Sequence, residues 1–386
     1  MKYLISKREF ISIYLSSFLL IIAVDNTIPA ISYIVFITTH TQKLTTLVIS
    51  IWGFSYAIAS PIVGFIYYLM RGKGVNILVI SMLLMIASTP LLFIHNPISL
   101  LIFRFILGIL EAFIFVGFMT ILIIIHPTYE VATQAIGYYY SLISLTLIIA
   151  PTLSSIAIKY ANPLLTFYIY LILMIIATLI VYLYRDFLSQ YSIENSARSI
   201  AFNFKPTYLI PILTLILVGA LDGSIQSRSV LWLYQVNLDP SDLGYLITTY
   251  YISTLIAEFI FPTLASNLGF KKILLLNISI TVLAIPVLYL TNLLNLNYPI
   301  YILVALLGLA IGLASPYTSG FMMKKICDVY TIGTGFTNAL WSIGYFTIPY
   351  TLSIIGSNYI LDFLILIASE MASLTMLTIK FDNLKY

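Results

Sequence analysis

Asp25, Arg104, Glu111 and Asp222 have types and positions suited to chemistry in an apolar medium, because each interrupts a long hydrophobic run. An ionised group facing lipid costs at least ~2.5 kcal/mol on insertion scales, so each must face water, a cavity or a partner. Arg104 and Glu111 are seven residues apart, which on a helix places them on one face, within about 20° of alignment. Asp25 is sixteen residues into its run, roughly 24 Å from the start at 1.5 Å per residue. In general, a carboxyl group releases its proton more readily beside a cation and holds it when water is withdrawn. A cavity that opens and closes around such groups can therefore load and unload a proton. The same charges also suit a permanent ion pair of Asp25 or Glu111 with Arg104, which would be structural.

The composition says what medium holds these charges. Of 386 residues, 61% are hydrophobic and 8% are charged, with a mean hydropathy of +1.05. A soluble domain is roughly 25% charged, so the chain belongs in a bilayer. Its apolar runs reach about 20 residues or more, the length that crosses a hydrocarbon core as helix, and no two-residue alternation of a membrane barrel is present. The expected helices cover 10–36, 45–70, 75–95, 98–126, 131–158, 163–184, 208–236, 242–266, 271–292, 298–323, 331–355 and 358–380. The fold class is thus an all-α integral membrane protein with twelve transmembrane helices. The first run is too long for a signal-peptide core and lacks a small-residue cleavage pattern, so it counts as a helix.

Arg185 to Pro206 is the one sizeable polar interruption and carries Arg185, Asp186, Glu194, Arg198 and Lys205. It divides the chain into a six-helix bundle over 1–186, a cytoplasmic linker over 187–206 and a second bundle over 207–386. Fourteen of the eighteen Lys and Arg residues, from Lys2, Lys7 and Arg8 to Lys380 and Lys385, fall on one side of this arrangement. Lys43 and Lys159 fall on the other, and Arg104 and Arg228 lie within or near helices. The positive side is the cytoplasmic one, which places both termini in the cytoplasm of a multi-pass protein of the cell membrane. The net charge of +4 follows from this bias and does not imply nucleic-acid binding. A single Cys327 and three scattered histidines allow no internal disulfide and no metal cluster. No phosphate-binding loop is present, and neither a metalloprotease nor a nucleophile-elbow motif supports an enzyme.

The halves repeat. Arg8 to Lys205 and Asp25 to Asp222 are both offsets of 197, and Lys73 to Lys271 is 198. The shift of 198 also carries Gly137 onto Gly335, Thr146 onto Gly344 and Pro151 onto Pro349. Six matches at nearly one offset indicate a duplicated six-helix unit, a common plan for transporters.

On these residues the chain resembles the major facilitator superfamily over essentially its whole length. The family's cytoplasmic loop pattern, G-x-L-A-D-R-x-G-R-K, is matched by Pro262, Leu264, Ala265, Leu268, Gly269, Lys271 and Lys272, with Ser266 and Asn267 in place of its acidic and basic pair. In the first half only Gly64 and the basic loop of Arg71, Gly72 and Lys73 remain, and Tyr68 replaces the aspartate. Arg104 and Gly108 fit the R-x-x-x-G signature of helix 4. Val24, Asp25, Thr27 and Ile28 are similar to the L-D-x-T-I element of drug/proton antiporters. Gly137, Thr146, Ala150, Pro151, Ser154 and Ser155 occupy the spacing of the antiporter helix 5 pattern, with Ser, Ala or Thr at four of its glycine positions. Small residues let helices approach closely and Pro151 allows a kink, which suits a rocking contact between halves and equally suits ordinary packing.

The resemblance implies two pseudo-symmetric halves that rock about a midplane site, with Asp25, Arg104, Glu111 and Asp222 as proton-coupling or substrate residues. Trp341 and Tyr345, on one face of helix 11 beside Gly344, are the candidate cavity aromatics. Glu258, one turn before Pro262, suits a packing or gate role, and Glu370 has no assigned one. The expected function is proton-coupled efflux of a hydrophobic or cationic small molecule, with uptake of a sugar, organic anion or amino acid as the alternative and a membrane receptor or enzyme as a remote one. The expected partners are the small-molecule substrate and the lipid bilayer, with no cofactor beyond the proton gradient, no nucleic acid, and a monomeric state.

Overall fold

Backbone in hydrocarbon must satisfy its own hydrogen bonds, and the Ile, Leu and Phe runs of this chain do so as helices. The computed structural model describes residues 6–70, 73–125, 129–190, 202, 205–268, 270–293, 298–311, 322, 326, 327 and 329–380. Twelve helices of 13 residues or more are formed among the described residues: α1 (Lys7–Thr39), α2 (Gln42–Leu69), α3 (Gly74–Phe93), α4 (Pro97–Ile125), α5 (Tyr129–Tyr160) and α6 (Leu164–Leu183) in the first half. The second half has α7 (Leu209–Gln235), α8 (Leu243–Leu268), α9 (Phe270–Leu293), α10 (Pro299–Ile311), α11 (Tyr330–Ile355) and α12 (Tyr359–Lys380). Each coincides with an expected span, although most of 312–323 lies outside the described residues. Apart from an isolated bridge between Phe202 and Cys327, no β pairing occurs among the described residues. Most of the expected linker, together with Arg71 and Gly269, also lies outside them.

The packing repeats as the sequence does. α1 lies against α5 and α6, and α7 lies against α11 and α12. α2 lies against α4 as α8 does against α10, and α3 touches α4 and α6 as α9 touches α10 and α12. Two seams join the halves, α2 with α11 and α5 with α8, and these too are symmetry mates.

Among the described residues nine helices are long and apolar enough to cross a membrane, and α9 and α10 add shorter apolar stretches. α11 is not among the nine, because Thr, Gly, Asn, Ser and Tyr lower its hydropathy. It does not need to be, since α2 and α7 sandwich it in the middle of the bundle.

Close helix contact in lipid depends on small residues rather than on the hydrophobic effect. A Cβ at Gly64 would lie 2.7 Å from the Thr331 carbonyl, and one at Gly335 would collide with the Ser60 carbonyl, so both glycines let α2 and α11 touch across the halves. Gly108 seats α4 on Ser55 and Trp52 of α2. Gly344 faces the Ile216 carbonyl of α7 instead, inside its own half. The small positions of α11 therefore serve two different neighbours. On α5, Thr146 and Ala150 are fully buried, and Thr146 returns its hydroxyl to the Ile143 carbonyl at 2.6 Å. Pro151 backs directly onto Gly244 of α8.

At the end of the bundle opposite the chain termini, the halves are clasped. Phe36 and Tyr234 have ring centroids 5.4 Å apart, joining α1 to α7. Gln42 donates to the Ser357 carbonyl at 3.1 Å, and Lys159 pairs with Asp242 at 2.8 Å. Ser155 donates to the Ser241 carbonyl at 2.7 Å and accepts from the Gly244 amide at 2.8 Å.

Filling a packed seam forces backbone movement that costs roughly 1–3 kcal/mol. Gly335→Leu is expected to lower the thermal midpoint of the purified protein accordingly, whereas Ile62→Leu, at an exposed position of α2, leaves it unchanged. Thermal unfolding in one detergent measures both.

Candidate functional site

A cavity of about 180 Å³ lies between the halves, and its wall contains all four charged residues singled out from the sequence. Asp25 comes from α1, Arg104 and Glu111 from α4, and Asp222 from α7. Trp341 and Tyr345 of α11 also line it. The seven-residue spacing on α4 does bring Arg104 and Glu111 to one wall. Gly137 belongs to α5, and Lys271 and Lys272 to α9; Lys73 and Pro349 sit at the start of α3 and within α11.

The electrostatics of the first-half cluster centre on Trp52 of α2. Its indole N–H donates to Glu111 Oε2, and the Arg104 guanidinium lies 5.7 Å from its ring centroid. Its ring is 5.0 Å from Tyr345 and 5.9 Å from Trp341, centroid to centroid, which carries the contact across to the second half. Arg104 donates one bond to the Ile49 carbonyl at 3.1 Å, while its Nε has no partner. Asp25 Oδ2 is likewise without one. No salt bridge joins Arg104 to Asp25 or Glu111 among the described residues. The three charges share a cavity at longer range, so the structural ion pair that the sequence also allowed does not form.

Asp222, the repeat of Asp25, is held differently. It accepts from the Trp341 indole at 3.0 Å and from the Tyr250 hydroxyl at 3.0 Å. The offset of 198 maps Trp52 onto Tyr250, so in each half one aromatic donor at the same α2 or α8 position binds a cavity carboxylate. One turn on, Gln226 donates to the Tyr251 hydroxyl at 2.7 Å and accepts from Tyr345 at 2.6 Å. The symmetry stops at α10, where Ile302 and Leu309 stand at the positions of Arg104 and Glu111. Among the described lining residues the cation is therefore on the first half.

Sequence reasoning missed part of the wall. Glu258 of α8, read as a packing or gate residue, lines the cavity and accepts from Ser144 of α5 at 2.8 Å, so it bridges a seam and faces the cavity at once. Trp52, Tyr56, Gln226 and Asn338 also line it. A usable signal existed for Gln226, which is one helical turn from Asp222.

A second set of buried charges is paired directly. Arg228 of α7 pairs with Asp362 of α12 at 2.6 Å, both side chains being wholly inaccessible. Asp362 also accepts from Trp232 at 2.7 Å and from Ser357 at 2.5 Å, and Arg228 donates to the Ser357 carbonyl and hydroxyl at 3.0 Å. Arg228 Nη1 alone is left without a partner, and neither Arg228 nor Asp362 lines the large cavity.

The family model described as Major Facilitator Superfamily matches residues 13–349. Among curated proteins none matches the sequence. Similar solved structures include a bacterial homologue of the iron transporter ferroportin in an outward-facing state, with 13% identity, a TM-score of 0.70, and 97% of this chain and 98% of that one covered. The human organic anion transporter MFSD10 has 11% identity and a TM-score of 0.70, covering 96% and 99%. The nucleoside transporter NupG has 14% identity and a TM-score of 0.64, covering 97% and 99%. At these identities the likeness is one of fold.

Removing one partner of a buried ion pair leaves an uncompensated charge and costs about 3–5 kcal/mol, whereas replacing both with apolar residues is often neutral. Asp362→Leu is therefore expected to destabilise the protein strongly, and the double variant Arg228→Met with Asp362→Leu to recover most of the loss. Thermal unfolding of the two variants side by side checks this.

Proposed function

The chain belongs to the major facilitator superfamily, and from the chemistry of its cavity we propose that it is a proton-coupled exporter of hydrophobic or cationic small molecules. The observation that carries the proposal is the cavity's charge balance: Asp25, Glu111, Asp222 and Glu258 face it against the single guanidinium of Arg104. Aromatic rings of Trp52, Tyr56, Trp341 and Tyr345 supply the rest of the polarisable wall. Clustered carboxylates attract cations, and aromatic faces bind them further by their quadrupoles.

The mechanism runs through hydration of the carboxyl groups. When the cavity is open to water, the ionised forms of Asp25 and Glu111 are solvated. When the halves rock and water is withdrawn, an unpaired charge becomes costly and either a proton or a cationic cargo must neutralise it. The two then compete for the same groups, which is the requirement for exchange. Trp52 holds Glu111 and Arg104 in register, and its ring contacts with Tyr345 and Trp341 tell one half where the other stands. Two six-helix units, 1–186 and 207–386 about the 187–206 linker, move as the rocking bodies. The protein acts as a monomer in the cell membrane with both termini cytoplasmic, driven by the proton gradient and without a cofactor.

A second reading, proton-coupled uptake of an anionic or neutral metabolite, draws on one observation: Arg104 lines the cavity and its Nε has no partner, which leaves the guanidinium a donor for a carboxylate.

The purified protein in liposomes with an imposed pH gradient separates these readings. A cationic dye is expected to drive proton movement in the natural protein and to drive none in Asp25→Asn, and undiminished coupling in that variant removes Asp25 from the mechanism. Accumulation of a metabolite without extrusion of any dye favours uptake, and in that case Arg104→Ala is expected to abolish transport.

A further inference from the structure

We propose that the two repeat-related carboxylates have different duties: Asp222 stays ionised and anchors an organic cation, whereas Asp25 takes up and releases the exchanged proton. The assignment rests on the exporter reading and divides its cavity into a cargo wall on the second half and a proton site on the first.

Both oxygens of Asp222 are occupied by donors. Oδ1 accepts from the Tyr250 hydroxyl and Oδ2 from the Trp341 indole, each at 3.0 Å. An indole N–H donates and cannot accept, so a proton on Oδ2 would have to displace it, and a proton on Oδ1 would meet the hydrogen of the phenol. Such bonds to a carboxylate favour its ionised form. Asp25 has the opposite setting. Its Oδ2 is buried without a partner, and Arg104, which donates to the Ile49 carbonyl, forms no salt bridge with it among the described residues. An unpartnered buried charge costs far more than an unpartnered neutral hydroxyl, and a bound proton converts the one into the other.

α7 packs against α1, α2, α8, α11 and α12, and the other titratable groups that these helices bring to the wall are mostly engaged. Tyr251 of α8 accepts from Gln226 at 2.7 Å, and Tyr345 of α11 donates to Gln226 at 2.6 Å. Glu258 of α8 accepts from Ser144 at 2.8 Å. α2 brings Tyr56 and α1 brings Asp25, and α12 adds none to the described lining. On the other side of the cavity Glu111 accepts from Trp52. The Trp341 and Tyr345 rings, 5.3 Å apart between centroids, stand beside the fixed anion, and aromatic faces with a permanent negative charge suit an organic cation. A cation seated there shares the cavity with Asp25 and favours its ionised form. The O–H bond of Asp25 then breaks, its proton passes to cavity water as hydronium, and the carboxylate left behind is balanced by the cation. Proton and cargo thus compete at Asp25, while Asp222 holds the cargo.

Tetraphenylphosphonium, a cation with no proton of its own, tests the assignment with the full-length protein in detergent, where its binding, the protons released on binding and the infrared absorption of protonated carboxyl groups are all measured. Asp222→Asn is expected to bind the cation about tenfold more weakly, the loss of one desolvated ionic contact, and to keep the protonated-carboxyl absorption. Asp25→Asn is expected to lose part of that absorption and to bind the cation without releasing the proton that the natural protein gives up. Equal binding by Asp222→Asn, absorption lost in that variant, or absorption and proton release undiminished in Asp25→Asn overturns the assignment. Should Asp222→Asn not fold, Tyr250→Phe combined with Trp341→Phe keeps two aromatic rings and removes both donors, so protonated-carboxyl absorption is expected to grow, and no growth overturns the assignment. If the natural protein binds no tetraphenylphosphonium, the exporter reading falls and the cargo wall with it, whereas binding that is indifferent to Asp222 leaves that reading standing and removes the anchor.

Discussion

An ionised group in a bilayer must find water or an opposite charge, and the architecture of this protein follows from how that demand is met in two places. Near the clasped end, Arg228 and Asp362 meet it with each other, and Trp232 and Ser357 take up further lone pairs and donors. In the middle, Arg104, Asp25 and Glu111 stay apart and leave capacity unspent. The first solution fixes α7 to α12. The second keeps a cavity reactive, because groups already saturated by each other would have nothing to offer a proton or a cargo.

That division of labour requires a helix polar enough to line the cavity yet shielded from lipid. α11 fills the role. It is placed between α2 and α7, and glycines on two of its faces bring both neighbours within backbone contact. Trp341 and Tyr345 then project from the same helix toward Trp52, so the residue that binds Glu111 in one half packs on those that bind Asp222 and Gln226 in the other. A movement of one half is felt at the carboxylates of both.

Much of this was legible in the sequence. Hydropathy located the helices because each span must be apolar over its whole length, and the offset of 197 paired Asp25 with Asp222 before either was placed. The charges on α4 could be put on one wall by periodicity alone. What stayed hidden depends on which helices face one another across more than a hundred residues. Nothing local marks Asp362 as the partner of Arg228, 134 positions away, or Trp52 as the donor to Glu111. Glu258 carried an ambiguous signal, since its place near a loop motif suggested a gate, and only the α5–α8 seam shows that it also looks inward. Gly344 was grouped with Gly335 by spacing, yet a 3.6-residue period sends them to different neighbours.

The clasp at the far end has a lopsided chemistry. A shift of 198 carries Lys159 onto Ser357, and each fastens a seam at this end, Lys159 by an ionic bridge to Asp242 and Ser357 by a neutral bond from Gln42. Dissolved salt screens the first and ignores the second. The α5–α8 seam therefore carries one salt-sensitive contact beside the neutral bonds of Ser155 with Ser241 and Gly244, whereas Gln42 and Ser357 fasten the other seam by a neutral bond.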